Sequence, residues 1–237
     1  MEISSEKTLG PGPQLGSMFS CPSATLSCLK EQPRWFHPLL LAATFSAAVN
    51  FYVIHQVGFL RLISAALQVS AAIDPRASVD NALAHKSQII FFHGLSTFAG
   101  TFLTAFVVAK VLWLILEVIG EDLPFKRVMA VVAHVTMLMV VIRESMLALT
   151  VTVMPNLENL DLRNPLATNL AFFFHPSSPA AFRLLASLDV VTFANILLLA
   201  LGLSRVSNRL SFHAACILVI VPWAVYVGAS LLLPAMS

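Results

Sequence analysis

Five charged side chains lie within or near the ends of long apolar runs, where a charge is costly unless it is paired or functional. They are Lys110, Glu117, Arg143, Glu144 and Asp189. Asp189 begins the stretch DVVTFANILLLALGLS, in which no other residue is charged. Such groups commonly form proton or solute pathways, or hold two membrane helices together as an ion pair.

Arg143 and Asp189 are predicted to form a structural ion pair. At 1.5 Å per residue, Arg143 lies about 16 Å before the end of one apolar run and Asp189 about 12 Å after the start of the next. Residues 155–180 join those two ends, so both charges have similar depth, and consecutive helices usually lie side by side. The alternatives are that Asp189 caps a helix or reaches outer water. Glu144 is a rival partner for Arg143, but it points about 100° away and can reach the interface instead.

The sequence indicates no catalytic, cofactor or metal site. No two of its seven histidines have the i, i+4 spacing of a helical metal pair. Cys21 and Cys28 show no zinc or redox spacing, and we interpret them as small apolar residues, with acylation as the alternative. Nucleotide-binding, serine-hydrolase and zinc-protease motifs are absent, and basic residues are too scattered to indicate a nucleic-acid partner.

The composition places this chain in a membrane. Of 237 residues, 58% are hydrophobic and only 11% are charged, and the mean hydropathy is +0.84. A soluble domain carries roughly 25% charged residues, so much of this surface must face lipid. We predict an all-α, polytopic integral membrane protein with five transmembrane helices, each crossing about 30 Å of hydrocarbon. The predicted spans are 38–60, 88–117, 128–154, 181–204 and 212–233.

The positive-inside rule favours a cytoplasmic N-terminus. In that orientation the cytoplasmic side carries Lys7, Lys30, Arg34, Lys126, Arg127, Arg205 and Arg209. The far side carries Arg61, Arg76, Lys86 and Arg163, with Arg183 at the border. The predicted interface anchors are Trp35, Phe36, Lys126, Arg127, Phe172 and Phe173.

The segments outside the spans have their own patterns. Residues 1–17 are rich in Gly, Pro and Ser and predict a disordered tail. Residues 18–37 predict an amphipathic interfacial segment, with Pro22 in the first turn of its helix and its apolar face in the membrane surface. Residues 38–237 are predicted to form the transmembrane domain.

Two connections between the spans are also expected to be helical. The apolar helical pattern continues beyond the first span to Ile73. A second helix is then expected to start, with Asp74 as its N-cap and Pro75 in its first turn. Asn164 and Pro165 are expected to open a short helix in the connection 155–180.

Three stretches resemble the Yip family of Ypt/Rab-interacting membrane proteins, in its bacterial branch. They are SMFSCPSATLSCLKEQPRWFHPLLLAATFSAAVNFYVIHQVGF, LPFKRVMAVVAH and LLASLDVVTFANILLLALGLSRVSNRLSFHAACILVIVPWAVYVG. The resemblance spans roughly residues 18–230 and implies a five-span helical fold. Val191 and Ala194 stand where bacterial relatives usually have aromatic residues. The eukaryotic Asp-Leu-Tyr-Gly-Pro signature and its Rab-binding role are not carried over.

These observations together predict a non-catalytic protein of the bacterial inner membrane. It is expected to act through contacts with membrane lipids and other membrane proteins. One alternative is an accessory subunit of a larger, multi-subunit membrane complex. A second alternative is a small-solute transporter that uses the intramembrane charges.

Overall fold

The computed structural model describes residues 11–69, 75–162 and 164–232, and these residues form an all-helical protein. The first helices are α1 (Pro11–Ser20), α2 (Pro22–Cys28), α3 (Phe36–Val57), α4 (Phe59–Val69), α5 (Pro75–Ala84) and α6 (Lys86–Val118). The remainder are α7 (Phe125–Val153), a 3₁₀ turn (Leu157–Asn159), α8 (Leu170–Phe174), α9 (Pro179–Ser187), α10 (Val190–Val206) and α11 (Phe212–Leu232).

Within the described ranges, four helices are long and apolar enough to cross a membrane: α3, α6, α7 and α11. The region predicted as one continuous span at 181–204 is broken, because α9 ends at Ser187 and α10 begins at Val190. The break occurs where the Asp189 carboxylate caps α10. α10 itself has 17 residues, about 25 Å of apolar helix, and is shorter than the other four.

α7 is the central helix of the bundle. It packs against α3, α6 and α10, and the stretch from Val128 to Val135 is buried throughout. In its most apolar window 56% of the residues are buried, against 22% for the corresponding windows of α6 and α11. α6 and α11 therefore form the outside of the bundle.

Polar contacts at both ends show which connections lie together. At one end, Lys30 Nζ donates to Asn208 Oδ1 at 2.7 Å, and the Ser207 hydroxyl donates to the Glu121 carboxylate. At the other end, the Arg61 guanidinium donates to the carbonyl oxygens of 157, 158 and 160. The connections after α3 and α7 therefore share one end of the bundle, and those after α6 and α10 share the opposite end with α2.

The N-terminal helices are docked on the bundle. α2 has Pro22 in its first turn, as expected, and Leu26 and Leu29 on one buried side. Leu26 contacts α10 at Gly202, and Met18 of α1 is 0% exposed. Protein therefore covers the apolar side that was expected to dip into the membrane surface.

Residues 11–17 of the segment that was predicted as a disordered tail lie in the first helix. α1 begins at Pro11, and the Ser17 and Thr25 hydroxyls lie 2.8 Å apart, which joins α1 to α2. Residues 1–10 lie outside the described part of the chain.

Two details of the extramembrane connections differ from the predictions. The helix after the first span is interrupted at Gly58, whose φ of 90° is open to glycine but strained for other residues. Asp74, the predicted cap of the next helix, lies outside the described residues, and α5 does begin at Pro75.

The short helix in the connection 155–180 begins at Leu170 instead of Asn164. Asn169 caps it, since its side-chain oxygen accepts from Phe172 N at 3.1 Å. The Asn164 and Asn169 side chains exchange two hydrogen bonds, of 3.1 and 2.8 Å. Asn164 therefore supports the capping residue and does not cap the helix itself.

Candidate functional site

Polar side chains from three helices meet where α3, α6 and α7 pack together. We name this group the α3–α6–α7 polar cluster: Ser46 and Asn50 of α3, His93 of α6 and Glu144 of α7. Ser46 lies near the middle of α3, about 15 Å from either end. The cluster therefore lies between the two ends of the bundle, with Ser46 buried, Asn50 and Glu144 half-buried and His93 exposed.

Glu144 brings a carboxylate into this cluster. The Ser46 hydroxyl donates to its Oε1 at 3.4 Å, which is long for a hydrogen bond between oxygens. Its Oε2 is buried and has no hydrogen-bond partner in the described protein. The carboxylate is thus poorly satisfied compared with most buried polar groups.

Asn50 connects Ser46 to His93. Its Nδ2 donates to the Ser46 carbonyl at 2.9 Å, and its Oδ1 lies 3.3 Å from His93 Nε2. His93 Nε2 is the donor in that contact, because an amide oxygen only accepts. Both ends of the Asn50 amide are therefore occupied, and its side chain is fixed between two helices.

The sequence did not predict this cluster. Glu144 was considered as a rival partner for Arg143 that can reach the interface instead, and as one of the intramembrane charges that a transporter could use. Ser46 and Asn50 are one helical turn apart, which places them on the same side of α3. That spacing of two polar residues in an apolar helix was the available signal.

Asp189 caps the N-terminus of α10. Its Oδ1 accepts from Val191 N at 2.8 Å, and its backbone forms an isolated antiparallel bridge with Asn169. This is the cap that was the alternative to pairing with Arg143. In the part of the chain that is described, no hydrogen bond joins Arg143 to Asp189, and Arg143 is exposed. The ion pair stays a prediction.

Arg143 and Asp189 lie at similar depth in the bundle, which the predicted pair requires. Gly202 of α10 lies against Val131 of α7, and these two helices run in opposite directions. Counting along each helix from this contact, Arg143 lies about 18 Å away on α7 and Asp189 about 20 Å away on α10. The two residues therefore have similar depth, although their side chains make no direct bond.

The predicted interface anchors lie at the two ends of the bundle. Phe36 and Phe173 are exposed, Phe172 is at the edge of exposure, and Trp35 is half-buried against the core. Lys126 is exposed and Arg127 is half-buried. Their anchoring role stays a prediction.

Lys110 is held near the same end as Lys126. Its Nζ lies 3.8 Å from the ring centroid of Trp113 and 5.6 Å from that of Phe125. Both distances are within the range of cation–π attraction. The aromatic rings thus stabilise this charge, which explains how an apolar helix accommodates it.

The described residues contain no group of three or more His, Cys, Asp or Glu side chains that could hold a metal ion. His134 is buried in α7, and its Nδ1 lies 2.9 Å from the Ala130 carbonyl of the preceding turn. Cys21 and Cys28 are exposed and Cys216 is half-buried, all as free thiols.

Comparison with known proteins gives no match to any family model, any curated protein or any solved structure. The resemblance to the Yip family therefore stays a prediction from the sequence.

Proposed function

We propose that this chain is a non-catalytic integral membrane protein that acts through lateral contacts with lipids and other membrane proteins, as a member of the Yip family. The observation that supports this proposal is the exposed apolar surface on the outside of α6 and α11. Large apolar side chains on both helices are exposed, among them Leu103 at 65% and Val225 at 65%. Such surface is stable only against lipid or the apolar face of another membrane protein.

α10 completes a fifth span in this proposal. It begins at the end of the bundle that contains Asn169 and finishes at the end that contains Glu121. Its 17 residues cover about 25 Å, slightly less than the hydrocarbon thickness, and a local thinning of the bilayer or snorkelling of flanking residues can absorb the difference. With five spans the two ends of the chain lie on opposite sides, the N-terminus in the cytoplasm of a bacterial cell.

The test is photo-crosslinking from the membrane-facing surface in intact membranes. A photoreactive residue at Leu103 or Val225 should give discrete adducts with particular proteins or enriched lipids. The control is Leu112 of α6, which is 3% exposed and should crosslink only within the chain. Adducts at Leu103 and Val225 that contain only lipids, in the same proportions as the bulk membrane, would contradict the proposal.

Extraction of the full chain in lipid nanodiscs separates the stand-alone form from an accessory subunit. A stoichiometric set of co-purifying membrane proteins identifies a subunit of a larger complex. A monomer or a homo-oligomer with bound lipid identifies a protein that works by itself.

A further inference from the structure

The connection between α7 and α10 has a long stretch without charge. Residues 164–182 contain no Asp, Glu, Lys or Arg. A water-exposed segment of that length would be expected to carry about five, since roughly 25% of the residues in soluble domains are charged. The connections at the other end of the bundle are short and do carry charges, with Glu121 and Asp122 after α6 and Arg209 after α10. In composition, residues 164–182 therefore resemble the membrane-facing helices more than those loops.

α8, which lies in this stretch, exposes apolar side chains over more than half of its circumference. Four of its five side chains are between 36% and 68% exposed, namely Leu170, Phe172, Phe173 and Phe174, and the fifth, Ala171, is buried. At 100° per residue the exposed side chains cover an arc of about 200°, with Ala171 on the opposite side. A protein partner that packs on one face of a helix needs an apolar stripe only about 100° wide. The wider arc fits a fluid apolar medium that surrounds all the free sides of the helix.

Polar groups at the start of α8 are turned into the protein. Asn169 is buried, accepts from Phe172 N and exchanges two hydrogen bonds with Asn164. Val190 N donates to the Thr168 carbonyl at 3.0 Å, which ties the segment to the start of α10. Non-helical backbone is tolerated at membrane depth only where its polar groups are bonded within the protein. Bonded polar groups inside and phenylalanines outside meet that requirement.

α8 also lies at the depth where α10 begins. The backbone of Asn169 pairs with that of Asp189, which caps α10. α10 covers about 25 Å, which is about 5 Å less than a typical hydrocarbon core. With Val206 at one boundary of the hydrocarbon, the start of α10 and the adjoining α8 therefore lie about 5 Å inside the other boundary. Helices that lie in a membrane surface bury their apolar side by about 5–10 Å, which agrees with this depth.

We propose that α8 is immersed in the leaflet at the Asn169 end of the bundle, where phospholipid acyl chains cover Phe172, Phe173 and Phe174. Phenylalanine has no polar atom and suits acyl chains, whereas Trp and Tyr carry a polar group that suits the headgroup level. The exposed Ser177 and Ser178 follow α8 and lie at the level of the headgroups.

This inference goes beyond the predicted anchors, because it places a whole helix, and not two side chains, below the headgroups. It is also separate from the lateral contacts proposed for α6 and α11. Either proposal can fail while the other stands.

The test is spin labelling of the full chain in phospholipid vesicles. In a cysteine-free background, Phe172→Cys, Phe173→Cys and Phe174→Cys each carry one label. Collisions of the label with oxygen, which concentrates in lipid, are compared with collisions with a water-soluble nickel chelate. All three labels should prefer oxygen, because lipid surrounds the helix. The control is Glu158→Cys, an exposed position in the same connection whose label should prefer the chelate.

Two results would overturn the proposal. Preference for the chelate at any of the three positions would place that side of α8 in water. Protection from both reagents at any of them would show that protein covers it, as in contact with a second copy of the chain.

Alkylation of the same cysteines gives a second readout without a bulky label. In vesicles, Phe173→Cys and Phe174→Cys should react with a membrane-impermeant maleimide roughly tenfold more slowly than Glu158→Cys, since the reactive thiolate has to form in contact with water. These positions belong to one connection, so the orientation of the protein in the vesicles affects them equally. Unfolding in SDS should bring the rates together. Rates in vesicles equal to that of Glu158→Cys would contradict the immersion of α8.

Discussion

At the scale of single residues, two carboxylates in apolar surroundings have different roles. Asp189 satisfies a backbone N–H at the start of α10, where an acid is favoured by the unpaired amides of the first turn. Glu144 lies inside α7, where every backbone amide is already bonded within the helix, so its carboxylate interacts with side chains, among them the Ser46 hydroxyl of α3. Position along the helix therefore decides whether a carboxylate can cap a backbone amide or must be satisfied by side chains.

Substitution of Asp189 distinguishes the cap from the predicted ion pair. Asp189→Ala should lower the free energy of unfolding by about 1 kcal/mol, because the cap is lost. Asp189→Asn should have a smaller effect, within roughly 0.5 kcal/mol, because Asn caps almost as well. Unfolding in mixed detergent micelles measures both.

The predicted pair with Arg143 gives the opposite pattern. In that case Asp189→Asn would destabilise the protein as much as Asp189→Ala, and adding Arg143→Gln would partly restore stability. Additive effects of Asp189→Asn and Arg143→Gln would show that the two residues are not partners.

At the scale of helices, glycines determine where elements touch and where they end. A Cβ atom on Gly202 would overlap the Val131 side chain and lie 3.2 Å from Leu26 Cδ2. This glycine therefore allows α2, α7 and α10 to meet at one point. Gly58, with a φ of 90°, instead separates α3 from α4.

Gly202→Ala should destabilise the protein by about 1–3 kcal/mol, because the added methyl group overpacks a filled contact. Val131→Ala combined with Gly202→Ala should recover part of that loss, since it removes the overlapping side chain. The control is Gly100→Ala in α6, where the new Cβ meets nothing within 4 Å and stability should be unchanged or slightly higher. Equal losses from Gly202→Ala and Gly100→Ala would argue against the close contact.

Gly58→Ala tests the break between α3 and α4. The left-handed backbone at this position should cost alanine about 1–2 kcal/mol of stability. Gly228→Ala in α11 is the matched control, because its Cβ also meets nothing within 4 Å but its backbone has no positive φ. A comparable effect of both substitutions would mean that strain at Gly58 does not control the break.

At the scale of the whole molecule, hydrogen bonds fix which loops share an end. Arg61 donates to the carbonyl oxygens of 157, 158 and 160, whereas Lys30 contacts Asn208 and Glu121 contacts Ser207 at the opposite end. Basic residues then give the proposed orientation, with the second of these ends in the cytoplasm.

Labelling of single cysteines with a membrane-impermeant maleimide tests that orientation. In a cysteine-free background, Glu158→Cys should react in intact cells and Asp122→Cys only after the membrane is permeabilised. Both side chains are exposed, so access depends on sidedness alone. The reverse pattern would show that the protein has the opposite orientation. Labelling of both cysteines from one side would contradict the arrangement of the loops.

Much of the architecture followed from the sequence, because hydropathy and helix signals act locally along the chain. The predicted spans 88–117 and 128–154 agree within about three residues with α6 and α7, and Pro22 and Pro75 lie in first turns as expected. These features depend on the composition of one segment at a time.

The tertiary structure alone decided which polar groups meet. Depth along two helices predicted Arg143 and Asp189 as neighbours, but contact also requires that both helices turn the right side toward each other. The rotation of α7 and the position of α3 bring Glu144 to Ser46, and a local backbone amide donates to the Asp189 carboxylate. The docking of α2 on Gly202 is decided in the same way. Helix rotation and pairing depend on the packing of all the helices together, which a single segment of sequence does not contain.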